Sequence, residues 1–329
     1  IHHVLATRPN VSITNLDKLT YAGNLRNLEN VERNHSNRYK FVKGCITDAK
    51  LTSKLVSEAD AVIHFAAESH VDRSILDAES FLETNVKGTL TLLNAVLAAG
   101  GAAGTGSKMK RFVHVSTDEV YGSLGDEGSF VEETPIAPNS PYSASKAASD
   151  MMVRAFVHTH KLDAVITRCS NNYGPYHFPE KLIPLMITNA LEDQPLPVYG
   201  AGKNVRDWIF VTDHCEGVMR AFEAGRGGEV YNFGGRAERK NIDVVTSILR
   251  ELGKSDSLIR YVEDRKGHDW RYSMDSTKAE RELGWKQSVT FEEGLSKTIA
   301  WYRSNEPWWR EVKSGAYRDF YTKYYGEIK

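Results

Sequence analysis

The chain has 329 residues, room for two structural regions or one elaborated α/β domain. Its 42 Lys+Arg against 43 Asp+Glu leave a net charge of -1, which excludes a basic footprint for a nucleic-acid backbone or an anionic membrane. With 41% apolar and 26% charged residues the composition is that of a globular chain, and no apolar run approaches the ~18 residues that would cross a bilayer.

Residues 1–7 read as the tail of a helix, closed by the turn at Pro9-Asn10. Short β-branched runs at 11–16, 39–42, 61–65, 112–115 and 164–167 predict strands. Helical patterns lie between them, notably at 81–99 and 143–159. This alternation predicts an α/β fold, a Rossmann-type doubly wound parallel sheet over residues 1–170. Such a sheet does not open on a helix. A strand is therefore expected ahead of Ile1, which is neither a Met nor the start of a signal peptide. Beyond Asn171 the prolines at 175, 179, 184, 195 and 197 shorten the segments. Helices are expected at 213–224, 242–252, 276–283 and 291–303. Residues 171–329 are read as a smaller α/β substrate-binding region, packed on the first, with some segments returning to it. All six Trp lie between Trp208 and Trp309, so this region should pack or grip flat groups.

Cys45, Cys169 and Cys215 are odd in number and widely spaced, with no C-x-x-C for metal or redox chemistry. A reducing cytoplasm is the simplest reading. The run Gly101-Ala102-Ala103-Gly104-Thr105-Gly106-Ser107-Lys108 resembles a phosphate loop, but Ser107 separates the last Gly from the Lys. It also leaves a helix and enters a strand, the reverse of what a phosphate loop requires.

Three constellations carry chemistry. Asp17 ends the first visible strand, where a dinucleotide fold places the acid that accepts from the ribose hydroxyls. Tyr142 and Lys146 form Y-x-x-x-K, which puts phenol and ammonium on one helix face. An ammonium there should draw a phenol of pKa about 10 towards neutrality and make it a base for an alcohol. Ser116-Thr117 end the preceding strand, where a hydroxyl can reach the same oxygen. Asp118-Glu119 follow at the carboxyl edge of the sheet, where two acids can divide acid and base roles if their environments differ.

Four of these stretches resemble the dTDP-glucose 4,6-dehydratases of the extended short-chain dehydrogenase/reductase superfamily. They are Thr117-Asp118-Glu119, Tyr142 with Lys146, the run from Leu16 to Asn24, and the run from His64 to Asp72. The likeness continues through Ser170 to Pro175, His177 to Lys181, Asp264 to Asp269, and Trp301-Tyr302, and so covers nearly the whole chain.

The resemblance implies NAD as a returned catalyst and a nucleotide-sugar substrate. Tyr142, supported by Lys146 and Thr117, takes the proton of the sugar 4-OH as hydride leaves C4. The 4-ketone acidifies C5–H, Glu119 removes that proton, and Asp118 protonates the departing 6-OH. Hydride then returns to C6 and a proton to C5, giving dTDP-4-keto-6-deoxyglucose on the way to rhamnose or another deoxysugar. Asp118 must therefore be protonated while Glu119 is ionised.

On the cofactor side the resemblance adds Leu19, Thr20, Ile46, Asp48 and Ala66. On the substrate side it adds Asn172, Glu180, Lys181, Leu182, Pro197, Tyr199, Arg206, Asn232, Arg271 and Tyr272, with the arginines on the diphosphate and Pro197 and Tyr199 at the base. Asn85 matches a scaffold Asn. It also implies a homodimer, joined through the helices at 81–99 and 143–159.

Two departures stand out. Gly44-Cys45-Ile46-Thr47-Asp48 has a Cys where the family carries an acid for the adenine amino group, a loss of about 1 kcal/mol of NAD binding. The glycine-rich pyrophosphate loop does not occur in the chain. The alternatives are another nucleotide-sugar dehydratase, an epimerase or a decarboxylase of the same superfamily, and a scaffold protein without cofactor. The acid pair speaks against an epimerase, which has no water to expel.

Overall fold

The computed structural model describes residues 1–314 apart from Thr105, Ser107 and Lys266. Parts of the 101–108 run and of the 264–269 motif, and the end of the expected second region, thus lie outside the described residues.

The first half is built on parallel strands. β1 (Ile13–Asp17) pairs with β2 (Tyr39–Lys43). β3 (Ala61–His64), β4 (Arg111–Thr117) and β5 (Ala164–Cys169) form a second sheet. Phe112, Val113 and Val165 are fully buried, as strands covered on both faces must be. The covering helices include Ala49–Glu58, Thr89–Ala98 and Pro141–His160. Leu93, Val96, Phe112, Val153 and Ile166 interlock between these layers.

The predicted helix at 81–99 is not uniform. A short helix Ala78–Phe81 runs into a π-helical stretch Leu82–Gly88 before the α-helix Thr89–Ala98. The wide turn carries Asn85 inwards. Its carboxamide accepts from the Glu68 amide at 2.8 Å and donates to the Glu68 carbonyl and Ser145 Oγ at 3.0 and 2.8 Å.

In the second half, β6 (Asn171–Tyr173), β7 (Leu196–Tyr199) and β8 (Val205–Phe210) are followed by β9 (Val230–Phe233), β10 (Glu238–Lys240) and β11 (Ile259–Val262). They pair as β10-β8-β6 and β11-β7, while β9 joins β5 in the first sheet, extending it to β3-β4-β5-β9. Helices Val211–Ala224, Asn241–Leu252, Thr277–Leu283 and Phe291–Ser304 match the periodic stretches. The helix Leu182–Leu191 was hidden in the sequence by its proline. Pro184 stands in its first turn, where the missing N–H costs no helical bond.

The aromatic surplus mainly fills a core. Trp208, Trp308 and Trp309 pack with Tyr173, Phe291 and Tyr302, and Trp285 packs edge-on to Phe233.

Candidate active site

β4 delivers the chemistry to the carboxyl edge of its sheet. Thr117 ends the strand and caps a single 3₁₀ turn, Asp118–Tyr121. Its Oγ1 accepts from the Glu119 amide at 3.3 Å and donates to Asp118 Oδ1 at 3.1 Å. Gly122 then turns the chain with φ 86°, and a Cβ there would stand 2.4 Å from the Ala137 carbonyl oxygen.

The helix Pro141–His160 begins opposite. Ser140 and Ser143 exchange capping bonds of 3.1 and 3.0 Å, and Pro141 occupies the first position. This fixes Tyr142 and Lys146 against β4, both buried. Lys146 Nζ donates to the Val115 carbonyl at 2.7 Å.

The two acids are neighbours in unlike surroundings. Asp118 is 2% exposed, and its Oδ2 has no hydrogen-bond partner among the described residues. Burial, then Glu119, push its pKa well above the ordinary carboxyl range, against the Thr117 bond and the Arg206 charge. Glu119 is half-buried. Burial raises it as well, but Lys181, Arg206 and Arg265 all favour its anion. The acid that must hold a proton is thus the more strongly raised of the two.

Tyr142 departs from expectation. Its pKa is raised well above 10, by burial first and then by Glu119 and Cys169, with only a Thr117 hydrogen bond working downwards. The expected pull from Lys146 does not overcome burial, which acts on the ammonium as well. Lys146 is drawn down to about 8, chiefly by burial, with Asp150 opposing.

The predicted substrate residues fall into three sets. Lys181, Arg206 and Tyr272 gather around Glu119, and Glu180 lies beside Lys181. Glu180 is buried and accepts from Tyr21 Oη at 2.8 Å, with Arg73 at 3.5 Å. Lys181 donates to the Ser69 carbonyl at 2.8 Å. Arg206 forms no salt bridge with Asp207; it donates to the Asp269 carbonyl at 3.0 Å and lies over the Tyr272 ring at 4.3 Å. Tyr272 Oη donates to Asp269.

Asn172 borders the same space. Its amide donates to Ser170 O at 3.1 Å and to Cys169 Sγ at 3.2 Å, while its Oδ1 has no partner among the described residues. The second set lies further out. Leu182 opens its helix half-buried, Pro197 is buried in β7, and Tyr199 Oη donates to Asp72 Oδ2 at 3.1 Å.

Two residues form the third set, and each has internal partners. Asn232 is fully buried, accepting from Tyr121 Oη at 2.9 Å and donating to the Phe130 carbonyl at 3.3 Å. Its polar groups are taken up inside the core. Arg271 turns its fork on Glu238, with bonds of 2.6 and 2.9 Å, so its bidentate capacity is spent within the protein.

On the cofactor side Asp17 ends β1. Its carboxylate is exposed at the end of β1, and its Oδ1 accepts from the Leu19 amide at 2.7 Å. Leu19 takes φ 54°, which turns the loop, and Thr20 is exposed beside it. An exposed acid on a parallel strand's carboxyl end suits the ribose of a dinucleotide. Ala66 follows β3 half-buried. Ile46 is buried and packs where a Cβ on Gly88 would meet its Cδ1 at 2.4 Å. Asp48 is a helix cap, its Oδ1 accepting from the Lys50 and Leu51 amides at 3.0 Å. Capping accounts for Asp48 without an adenine contact. Cys45 Sγ lies 3.1 Å from Thr47 Oγ1.

Sequence reasoning assigned no role to Asp72, Arg73 or Arg265. Asp72 is 1% exposed and paired with Arg265, tying the segment after β3 to the 264–269 loop. The signal was present, since both residues lie inside long motifs. Their pairing across the chain was not.

A parallel α/β fold with a Tyr–Lys pair and two acids at its carboxyl edge defines a Rossmann-type enzyme. The GDP-mannose 4,6 dehydratase family profile matches residues 2–298. The dTDP-glucose 4,6-dehydratase of Xanthomonas campestris pv. campestris is 55% identical over 320 residues, 94% of this chain and 91% of that protein. That of Salmonella typhimurium is 48% identical, over 99% and 94%. The solved structure of a double mutant of DesIV, a dTDP-glucose 4,6-dehydratase from Streptomyces venezuelae with NAD bound, superposes with TM-score 0.90 at 50% identity, covering 95% of each chain. Within that broader family, the chain belongs to the dTDP-glucose 4,6-dehydratases.

Proposed function

We propose that this chain is a hydro-lyase that converts dTDP-glucose to dTDP-4-keto-6-deoxyglucose with NAD as its returned cofactor. The observation that carries this reading is the unequal pair of acids beside Tyr142, Asp118 held towards its neutral form and Glu119 facing three cations. An alcohol dehydrogenase needs neither acid.

When bound, NAD supplies temporary storage of a hydride. Asp17, Leu19 and Thr20 are suited to its adenosine end, and Tyr142 and Lys146 to its reacting end. The chain's own residues move the protons. Tyr142, beside Thr117, is neutral at rest and must first give up its own proton; as the phenolate it accepts the proton of the sugar 4-OH. Glu119 removes the proton that the 4-ketone has made acidic at C5. Asp118 donates its proton to the departing 6-OH, and water leaves. Asn172, Glu180, Lys181, Arg206 and Tyr272 hold the sugar and diphosphate, with Leu182, Pro197 and Tyr199 on the nucleoside side.

Leu82 and Met151 are exposed apolar residues, on the π-helical stretch Leu82–Gly88 and the helix Pro141–His160, two segments that pack on each other. They support a homodimer built through these helices, and light scattering of the purified protein tests it. Three free cysteines support a reducing cytoplasm. Among the described residues no helix is long and apolar enough to cross a membrane.

The test of function incubates the protein and NAD with dTDP-glucose, UDP-glucose and GDP-mannose. Product is read as the ultraviolet absorbance of a 4-keto sugar in alkali. Conversion of dTDP-glucose well ahead of the other two is expected. Preference for another sugar, or none, rejects the reading.

A further inference from the structure

Behind the Tyr–Lys pair lies a charged cluster that the dehydration steps do not use. Asp150 stands one turn beyond Lys146 and two beyond Tyr142, on the same face of the helix Pro141–His160. It is fully buried. Its Oδ2 accepts from Arg168 Nε at 2.9 Å, and its Oδ1 lies 3.4 Å from His114 Nε2. Arg168, on β5, donates in turn to Tyr121 Oη at 2.8 Å. His114 lies on β4, one residue before the Val115 carbonyl that receives the Lys146 ammonium. Lys146 and Asp150 therefore rest on the same short stretch of one strand.

A carboxylate buried this deeply is costly unless it is paired, and one arginine would suffice as its partner. Lys146, one helical turn away on the same face and outside ion-pair contact, is a second buried cation that the same anion favours. The other titratable groups facing the cluster carry no competing negative charge. His64 on β3 and His114 on β4 are held towards their neutral forms by burial, and Cys169 on β5 is pushed up to about 12 by burial, so it remains a thiol. Tyr121 and Tyr142, from the 3₁₀ turn and from the helix itself, are raised and neutral. Asp118, on the same turn, is held protonated. Burial pushes Asp150 up, but Arg168 and His114 outweigh it and keep it ionised.

We infer that Asp150 is a positioning residue of the catalytic machinery: it supplies the negative charge that keeps the buried Lys146 ammonium protonated and seated on the Val115 carbonyl. The inference rests on the proposed function for the purpose of that ammonium, though not for its titration. Burial draws Lys146 down, and Asp150 opposes it first and Cys169 second; with Cys169 held as a thiol, Asp150 is the opposing charge that remains. Without Asp150 the lysine would lose its proton in the range where the enzyme must work.

The test follows Lys146 directly. Competitive acetylation of the intact protein across pH, read by peptide mass, returns the titration of this lysine whether or not the protein turns over. Asp150→Asn is expected to move that titration at least about one unit lower, the scale of one opposite charge at close range. The alkaline limb of the pH–rate profile for dTDP-glucose should move down with it.

Since Asp150→Asn leaves Arg168 buried and unpaired, the double variant Asp150→Asn/Arg168→Gln is made alongside, with both charges removed. It should keep the lowered titration. If Lys146 titrates as in the wild type in either variant, Asp150 merely partners Arg168 and the inference is overturned. Absent turnover by the wild type with an intact Lys146 shift would instead reject the substrate reading.

Discussion

Asp118→Asn separates the acid role from every other role of that position. The amide keeps the size of the side chain and can still accept from Thr117 Oγ1, which lies 3.1 Å from Asp118 Oδ1. What it loses is the proton to give. General acid catalysis contributes roughly 10²–10⁴-fold, about 3–5 kcal/mol of barrier. Elimination should slow by that factor while earlier steps continue. In deuterated buffer the variant should therefore exchange C5–H of dTDP-glucose for deuterium without accumulating the alkali-absorbing product.

Stability gives an independent reading. Asp118 is 2% exposed with a pKa raised well above its unfolded value. Such a group favours the folded state below the unfolded pKa, and that advantage is lost as pH rises through the folded one. The amide does not titrate. The variant should match the wild type below about pH 4, the unfolded carboxyl range, and exceed it progressively as pH rises towards the folded pKa, by about 1.4 kcal/mol per unit of pH. Thermal melts over that range would show it as several degrees. Loss of C5 exchange along with product, or a change confined to KM, would refute the acid role.

Other variants probe the remaining roles. Tyr142→Phe should abolish C4 oxidation, seen as no transient reduced-nicotinamide absorbance; near-normal oxidation would remove Tyr142 from the mechanism. Glu119→Gln should retain slow C4 oxidation but lose C5 exchange by at least about 10²-fold, and undiminished exchange would assign the base elsewhere. Arg265→Gln removes one of the cations that favour the Glu119 anion. The base then ionises at higher pH, so the acid limb of kcat should move upwards; an unmoved limb would show that Arg265 acts on Asp72 alone.

Much of the scaffold was legible because it is local. Alternation and helical periodicity place β4, β5 and the helix Pro141–His160 to within a few residues. The spacing of Tyr142 and Lys146 fixes a shared helix face in any fold. The π-helical turn at Asn85 was not legible, because its widening answers to Glu68 and Ser145 on other segments. The internal partners of Asn232 and Arg271 were hidden for a related reason. A residue type suited to a ligand suits an internal partner equally, and only the fold reveals that Tyr121 and Glu238 claim them first. Tyr142 shows the limit on chemistry. The sequence displays the ammonium beside the phenol and conceals the burial that outweighs it.

The division of labour between Asp118 and Glu119 belongs to the whole chain, although the two are adjacent. Both are raised by burial. The difference comes from what each faces. The cations that favour the Glu119 anion arrive from the start of the helix Leu182–Leu191, from β8 and from the 264–269 loop. Asp72 and Tyr199 hold that loop through Arg265 and the Arg265–Tyr199 stack. Asp118 faces inwards and feels the Glu119 charge itself. Packing of the later segments over the edge of the first sheet therefore does more than enclose a sugar. It lowers the cost of the anion at 119, and that anion in turn holds the proton on 118. A site with β4 and its helix alone would present both acids without the cations that favour the anion at 119.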